Sequence, residues 1–111
     1  MSITRISEFQ ANTEATEALR DFLLSIMPMI KSSQGCESVS LYQAHDDSTK
    51  FTMLEVWDSI ESHQASVKNI PPAMLTEIRP LLASTPSGSY YDVVSADGNP
   101  SQFSESNSGM I

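Results

Sequence analysis

The spacing of apolar residues predicts alternating strands and helices up to about residue 95. Apolar positions recur every three or four residues over 15–30, which predicts a long amphipathic helix. Similar stripes over 60–70 and 74–82 predict two further helices, separated by Pro71 and Pro72. These three segments supply the helical part of the predicted fold.

Four other segments predict β-strands, namely 2–9, 36–44, 51–57 and 90–95. The polar residues 45–48 form a short turn, which joins the second and third strands as a hairpin. The order is β-α-β-β-α-β, with the second crossover divided into two helical pieces. This order predicts an α+β fold of the ferredoxin-like type with a four-stranded antiparallel sheet.

The predicted sheet has apolar residues on both faces. The third strand places Phe51, Met53 and Trp57 on one side and Leu54 and Val56 on the other. Helices in this topology cover one face only, so a second copy of the chain is expected to cover the other. We therefore predict a homodimer. The alternative is that the polar tail 96–111, which follows a domain of residues 1–95, folds back over that face.

The net charge of −8 over 111 residues excludes two classes of partner. An acidic surface repels phosphate backbones and anionic headgroups, so we expect neither nucleic acid nor membrane binding. Cys36 is the single cysteine, and the first ten residues lack the apolar core of a signal peptide. These features predict a cytoplasmic protein without an internal disulfide.

The most distinctive stretch is 55–66, with the sequence EVWDSIESHQAS. It resembles the signature of the antibiotic biosynthesis monooxygenase family, in which a strand ends in Glu-x-Trp and is followed by x-Ser-x-Glu and a helix. Other similar positions are Gly35-Cys36, Tyr42, Arg79-Pro80-Leu81-Leu82 and Tyr90-Tyr91. The resemblance covers residues 2–95. It implies a dimeric α+β barrel with a pocket between the sheet and helices of each subunit.

The resemblance also implies a choice of activities. Members of the family include cofactor-free oxygenases of phenols and quinols, and haem-degrading enzymes. Many members have a histidine nine residues after the tryptophan, where this chain has Ser66. The haem-degrading branch uses an asparagine on the first strand, where this chain has Ser7 and Glu8. The absence of the asparagine disfavours the haem enzymes. The histidine position is a departure from many members of the family, and the nearest histidine in this chain is His63, six residues after Trp57.

A cofactor-free oxygenase has to deprotonate its phenolic substrate, hold it flat and exclude water. His63 is the candidate base, Trp57 the candidate aromatic wall and Ser66, one helical turn from His63, a polar support. We expect Tyr42, Glu55 and Phe22 to contact a small aromatic substrate. We expect no cofactor and no metal site, because no phosphate loop and no zinc-ligand spacing occurs.

Each candidate also has a structural interpretation. His63 could be a hydrogen-bonded histidine at the edge of the core, and Trp57 a core residue. Glu55 could pair with Arg5, Arg20 or Arg79 instead of acting on a substrate. A non-catalytic protein that binds a small apolar molecule is therefore the alternative to a monooxygenase. A haem-binding protein comes third.

Overall fold

The computed structural model describes residues 2–97. The elements are β1 (Ile3–Gln10), α1 (Thr16–Lys31), β2 (Cys36–Gln43), β3 (Lys50–Trp57), α2 (Ile60–Lys68), α3 (Pro72–Ile78), a 3₁₀ turn (Arg79–Leu81) and β4 (Ser87–Tyr91). Residues 2–95 of the predicted domain 1–95 lie within this part of the chain. Most of the predicted tail, 98–111, lies outside the described residues.

The four strands form one antiparallel sheet in the order β2-β3-β1-β4. The hairpin of β2 and β3 lies at one side, and β1 is inserted between β3 and the edge strand β4. The predicted α+β fold with ferredoxin-like strand order is therefore confirmed. No helix within residues 2–97 is long and apolar enough to cross a bilayer.

The core lies between α1 and one face of the sheet. On β3 every second residue is buried, and these residues are Phe51, Met53, Glu55 and Trp57. From α1, the buried residues Leu19, Phe22 and Leu23 complete the apolar layer. The two-residue period of β3 and the three- to four-residue period of α1 meet in this layer, as the sequence pattern predicts.

Among residues 2–97, no helix packs on the opposite face of the sheet. Ile6, Leu54 and Val56 lie near its centre and are partly exposed, with Tyr42 and Tyr91 more exposed towards its edges. We call these five residues the open-face cluster. The prediction that apolar residues of β3 occupy both faces is thus confirmed for the single chain.

The predicted boundaries of the last strand are wrong. The last strand is Ser87–Tyr91 rather than 90–95, because β4 pairs only with β1 and Tyr91 already lies opposite Thr4, near the start of β1. Val94, predicted in that strand, lies beyond it and is 97% exposed. The N-cap of α1 is Ala15 without a side-chain hydrogen bond. Asn12, in the segment before α1, donates its side-chain amide to the carbonyl of Pro80 at 2.9 Å.

Gly35 connects α1 to β2 in a conformation that other residues rarely adopt. Its φ is +90°, and its carbonyl accepts a hydrogen bond from the Asp58 amide at 2.8 Å. A Cβ at this position would lie 2.5 Å from both the Asp58 Oδ1 and the Ser62 Oγ atoms. The connection before β2 therefore requires glycine for backbone and steric reasons together.

We expect Gly35→Ala to lower the free energy of unfolding by about 1–3 kcal/mol, since the residue would be strained and would displace Asp58 and Ser62. Urea denaturation followed by circular dichroism measures this change. The control is Gln34→Ala at the exposed neighbouring position, expected within about 0.5 kcal/mol of the wild type. Equal stabilities for the two variants would contradict the prediction.

Candidate functional site

A cavity of about 530 Å³ lies between the helices and the sheet. This volume falls within the range of small-molecule sites. Most of its wall is apolar and comes from Phe9, Phe22, Ile26, Met29, Ile30, Met53, Val67, Ile70, Met74, Leu75, Ile78, Leu82, Ala83 and Pro86. The polar lining residues are Glu55, His63, Ser66, Arg79, Ser84 and Thr85. The cavity is thus an apolar chamber with a few polar groups.

His63 reaches the cavity from α2. The helix begins after its N-cap Ser59, whose side-chain oxygen accepts a hydrogen bond from the Ser62 amide at 3.1 Å. This start places His63 on the buried side of α2, with 9% of its surface exposed. Its ring meets that of Trp57 edge to face, with centroids 5.4 Å apart.

Ser66 lies one turn further along α2 and also lines the cavity. Its hydroxyl donates to the carbonyl of His63 at 2.7 Å. The hydroxyl proton is therefore used inside the helix, which leaves the lone pairs of the oxygen to accept a hydrogen bond. Ser66 thus lies in the cavity wall as a hydrogen-bond acceptor, and its role as a polar support for a substrate stays a prediction.

Glu55 is a buried carboxyl in the cavity wall, with 7% of its surface exposed. Its Oε1 accepts a hydrogen bond from Trp57 Nε1 at 2.8 Å. Burial raises the pKa of Glu55 above its ordinary value, against the smaller opposing effects of the Trp57 hydrogen bond and the Arg5 charge. Among residues 2–97 no arginine forms an ion pair with Glu55, so the predicted pairing is wrong.

Tyr90 and Arg5 complete the polar layer beneath the cavity. The Tyr90 hydroxyl lies 2.6 Å from His63 Nδ1, and the Arg5 guanidinium carbon lies 4.7 Å from the centroid of the Tyr90 ring. In the sheet, Arg5 on β1 lies between Glu55 on β3 and Tyr90 on β4, each its direct strand partner. Burial, with a smaller effect of the Arg5 charge, lowers the pKa of His63 below its ordinary value of 6.5.

The structure brings together four of the six predicted site residues. Phe22, Glu55, His63 and Ser66 all line the cavity. Trp57 does not line it, because its ring is fully buried beneath His63 and Glu55. Trp57 therefore supports the site from behind rather than forming the predicted aromatic wall.

The placement of Tyr42 in the cavity is wrong. Tyr42 is the strand partner of Thr52, whose side of β3 faces away from the helices. Tyr42 is consequently 45% exposed and belongs to the open-face cluster. The alternation along β2 identifies its two faces but does not show which of them the helices cover.

Sequence reasoning missed Tyr90 and Arg5 as parts of the site. No local pattern links Tyr90 to His63, because the two are 27 residues apart and meet only through the crossover of α2, α3 and β4. Had β4 been predicted at Ser87–Tyr91, its pairing with β1 would have placed Tyr90 beside Arg5. A correct prediction of the start of β4 at Ser87 would therefore have identified Tyr90 as a neighbour of Arg5.

Cys36 and the acidic turn at 45–47 add no chemistry to this site. The pKa of the Cys36 thiol is raised, chiefly by burial, which disfavours the reactive thiolate. Within residues 2–97, no cluster of three or more histidine, cysteine or acidic side chains is arranged to hold a metal ion.

The lowered pKa of His63 predicts how the free energy of unfolding changes as the pH falls. The native state binds a proton on this ring less readily than the unfolded chain, so the stability contribution of neutral His63 is lost as pH falls below 6.5 through the folded-state pKa. His63→Gln cannot titrate, so its urea midpoint should fall less than the wild-type midpoint over this range.

Glu55 provides the comparison of opposite sign. Its raised pKa means that the native state keeps the proton better than the unfolded chain, so this term weakens folding as pH rises above 4.5. Glu55→Gln should therefore lose more stability on acidification than the wild type. Parallel pH profiles for all three proteins would contradict both assignments.

Comparisons with known proteins agree with this architecture. Residues 2–74 match the model of the family described as antibiotic biosynthesis monooxygenase. No curated protein matches the sequence significantly. The protein Rv0793 from Mycobacterium tuberculosis is 19% identical with a TM-score of 0.73, covering 88% of this chain and 100% of that one.

Two further solved structures are similar. SnoaB from Streptomyces nogalater, a cofactor-independent oxygenase, is 13% identical with a TM-score of 0.71, covering 86% of this chain and 95% of that one. A protein from Chloroflexus aurantiacus, described as an antibiotic biosynthesis monooxygenase, is 29% identical with a TM-score of 0.67. The match covers 88% of this chain and 98% of that one. At these identities the shared feature is the fold.

Proposed function

The chain belongs to the antibiotic biosynthesis monooxygenase family, and on that premise we propose that it is a cofactor-independent monooxygenase of a quinol or another hydroxylated aromatic molecule. One observation carries the proposal. A buried histidine with a lowered pKa lies in the wall of an otherwise apolar cavity. That arrangement suits removal of a proton from a phenolic hydroxyl. SnoaB, of the same fold, is a cofactor-independent oxygenase.

The reaction is balanced by the substrate and dioxygen alone. Deprotonation of the ring hydroxyl yields an electron-rich anion, which supplies the electrons that reduce O₂. One oxygen atom becomes bonded to a ring carbon in place of hydrogen, and the other leaves as water. That water carries the two hydrogens lost by the substrate as it becomes a quinone. The protein has to remove the first proton and shelter the anion from bulk water.

Polar residues of the cavity lining are proposed to carry out these functions. His63 takes the proton, and Glu55 and Ser66 lie in the same wall to orient oxygen atoms of the substrate. Trp57 holds Glu55 through its hydrogen bond and contacts the His63 ring from below. Because Glu55 Oε1 accepts the Trp57 hydrogen bond, Oε2 is the carboxyl oxygen left to accept a hydrogen bond from a substrate hydroxyl.

The positions of two lining residues along the sheet, Phe9 and Glu55, indicate the size of the substrate. Phe9, in its wall, pairs with Phe51, which lies four residues from Glu55 on β3. Four residues of strand span about 13 Å, which is more than a single ring requires. Methionine and aromatic residues surround this length, and both contact flat aromatic faces favourably. We infer a substrate with more than one fused ring.

Oxygen consumption tests the proposal. Purified protein is mixed in an oxygen-electrode cell with a panel of mono- and polycyclic phenols and quinols, with heat-denatured protein as the blank for autoxidation. With ¹⁸O₂, one labelled atom should appear in the product. Consumption no faster than the blank across the panel would contradict the proposal. If a panel member bound without turnover, the non-catalytic binding protein would be correct instead.

We further propose that the chain acts as a homodimer joined through the open-face cluster. The cluster is apolar, and the charged residues Glu8 and Lys50 on β1 and β3 of that face have opposite signs. Removing apolar surface from water stabilises an assembly by about 25 cal/mol per Å². In a two-fold symmetric dimer, the open-face cluster of each subunit would cover that of the other.

Leu54→Asp should dissociate this dimer. Its side chain lies near the centre of the open face, so the substitution places a carboxylate in the interface of each subunit. An unpaired buried charge costs about 3 kcal/mol or more, which corresponds to a dissociation constant raised roughly 100-fold. Sedimentation equilibrium measures it.

Leu24→Asp is the matched control, since Leu24 lies on α1 and is 43% exposed. This variant should sediment as the wild type does. A wild-type chain that sediments as a monomer would contradict the dimer while leaving the proposed oxygenase activity to be judged by its own assay.

A further inference from the structure

We propose that Tyr90 is a positioning residue for His63, which fixes the tautomer that presents the Nε2 lone pair to the substrate. The inference rests on the proposed function, because it concerns how the proposed base is prepared. It extends the site to β4, a strand that contributes no residue to the part of the cavity wall around His63.

The hydrogen bond between His63 and Tyr90 determines which ring nitrogen is available. The Tyr90 hydroxyl lies 2.6 Å from Nδ1, so Nε2 is the nitrogen left to meet a ligand. The ring has little freedom to turn, because it is 9% exposed and its edge contacts are with Trp57 and Tyr90. For Nε2 to act as a base, Nδ1 must carry the proton and donate it to the Tyr90 oxygen.

A tyrosine suits this position better than a carboxylate. The phenolic oxygen accepts a hydrogen bond from Nδ1–H both before and after Nε2 receives a proton, and it brings no negative charge. A carboxylate in its place would stabilise the imidazolium and raise the pKa of His63. Because Tyr90 is a neutral partner, it does not favour the imidazolium, and His63 stays unprotonated at the pH at which it has to accept a proton.

Arg5 holds Tyr90 in place. Its guanidinium lies over the Tyr90 ring at 4.7 Å and over the backbone of Gly88, where a Cβ would collide with the guanidinium. Its Nε is buried without a hydrogen-bond partner and the guanidinium forms no ion pair within residues 2–97, so the contact with the Tyr90 ring is the interaction that places it. Arg5 on β1 and Glu55 on β3 are the charged or titratable neighbours of this pair in the sheet.

Nitrogen-15 NMR of the imidazole group in Tyr90→Phe tests the inference directly. In the wild type above the His63 pKa, the shifts should identify a single Nδ1–H tautomer. In Tyr90→Phe, which keeps the ring but removes the hydroxyl, the Nε2–H tautomer should appear. The matched control is Tyr91→Phe, since Tyr91 faces the opposite side of the sheet and is 50% exposed. The His45 signals provide an internal reference.

A second variant tests whether the position of Arg5 matters when the side chains of His63 and Tyr90 are both retained. Gly88→Ala keeps every side chain of the pair but displaces the Arg5 guanidinium, so the tautomer should become mixed as in Tyr90→Phe. An Nε2–H tautomer in the wild type, or an unchanged Nδ1–H tautomer in Tyr90→Phe, would overturn the inference.

Kinetics distinguishes the inference from the proposed function. Tyr90→Phe should lower kcat about 5- to 10-fold, the size of one hydrogen bond, with KM little changed. If His63→Ala were as active as the wild type, the proposed base would be wrong while the NMR result still decided the role of Tyr90. If His63→Ala were inactive and Tyr90→Phe retained both the tautomer and the rate, only the positioning role would fail.

Discussion

His63→Ala should lower the rate of substrate-dependent oxygen consumption by about 100-fold or more, because a positioned general base contributes roughly 10²- to 10⁴-fold. In the structure, His63 is the imidazole in the cavity wall, beside Glu55 and Ser66. The measurement is initial oxygen uptake with the best substrate of the panel. Circular dichroism at the same temperature confirms that the variant is folded.

The second histidine of the chain supplies the control. His45 lies in the exposed turn after β2, and His45→Ala should retain the wild-type rate. The pH profile provides a further check, since the pKa of His63 is lowered and the wild-type rate should persist below pH 6.5 before it falls. A rate for His63→Ala within twofold of the wild type would remove His63 from the mechanism.

Trp57→Ala should lower the free energy of unfolding by about 3–5 kcal/mol, as expected for a large aromatic side chain deleted from a core. The ring is fully buried at the end of β3, and its loss also removes the hydrogen-bond donor to Glu55. Because Trp57 is the only tryptophan, unfolding in urea is followed by circular dichroism rather than fluorescence.

Trp57→Phe separates packing from the hydrogen bond. This variant keeps an aromatic ring but leaves Glu55 Oε1 without its donor, for a loss of about 1–3 kcal/mol. The pKa of Glu55 should rise further, because the Trp57 hydrogen bond lowers it in the native protein. Val94→Ala, at a position that is 97% exposed, is the control for an inert change. A Trp57→Ala variant within 1 kcal/mol of the wild type would contradict the core role.

The aromatic residues illustrate how far sequence patterns extend. Parity along β3 correctly placed Trp57 on the same side as Glu55, but it did not separate a ring in the cavity wall from a ring beneath it. Parity along β2 likewise separated Tyr42 from Leu41, but the side covered by helices depends on packing between distant segments. Whether an aromatic residue lies in the cavity wall, in the core or on the open face depends on which elements pack against it.

The amino-acid sequence by itself determined the order of the elements, the α+β class and the family. Periods of two and of three to four residues reflect local backbone geometry, and the stretch 55–66 is contiguous, so both can be recognised along the chain. Four of the six candidate residues also lie in the cavity wall, because β3 and α2 are adjacent in sequence and in space.

Only the tertiary structure decided where β4 ends and what holds the proposed base. The end of an edge strand depends on where its partner β1 begins, and the partner of His63 is 27 residues away. No local pattern identifies Arg5 or Tyr90 as a partner of His63. They become part of the site because strand pairing sets them side by side beneath α2.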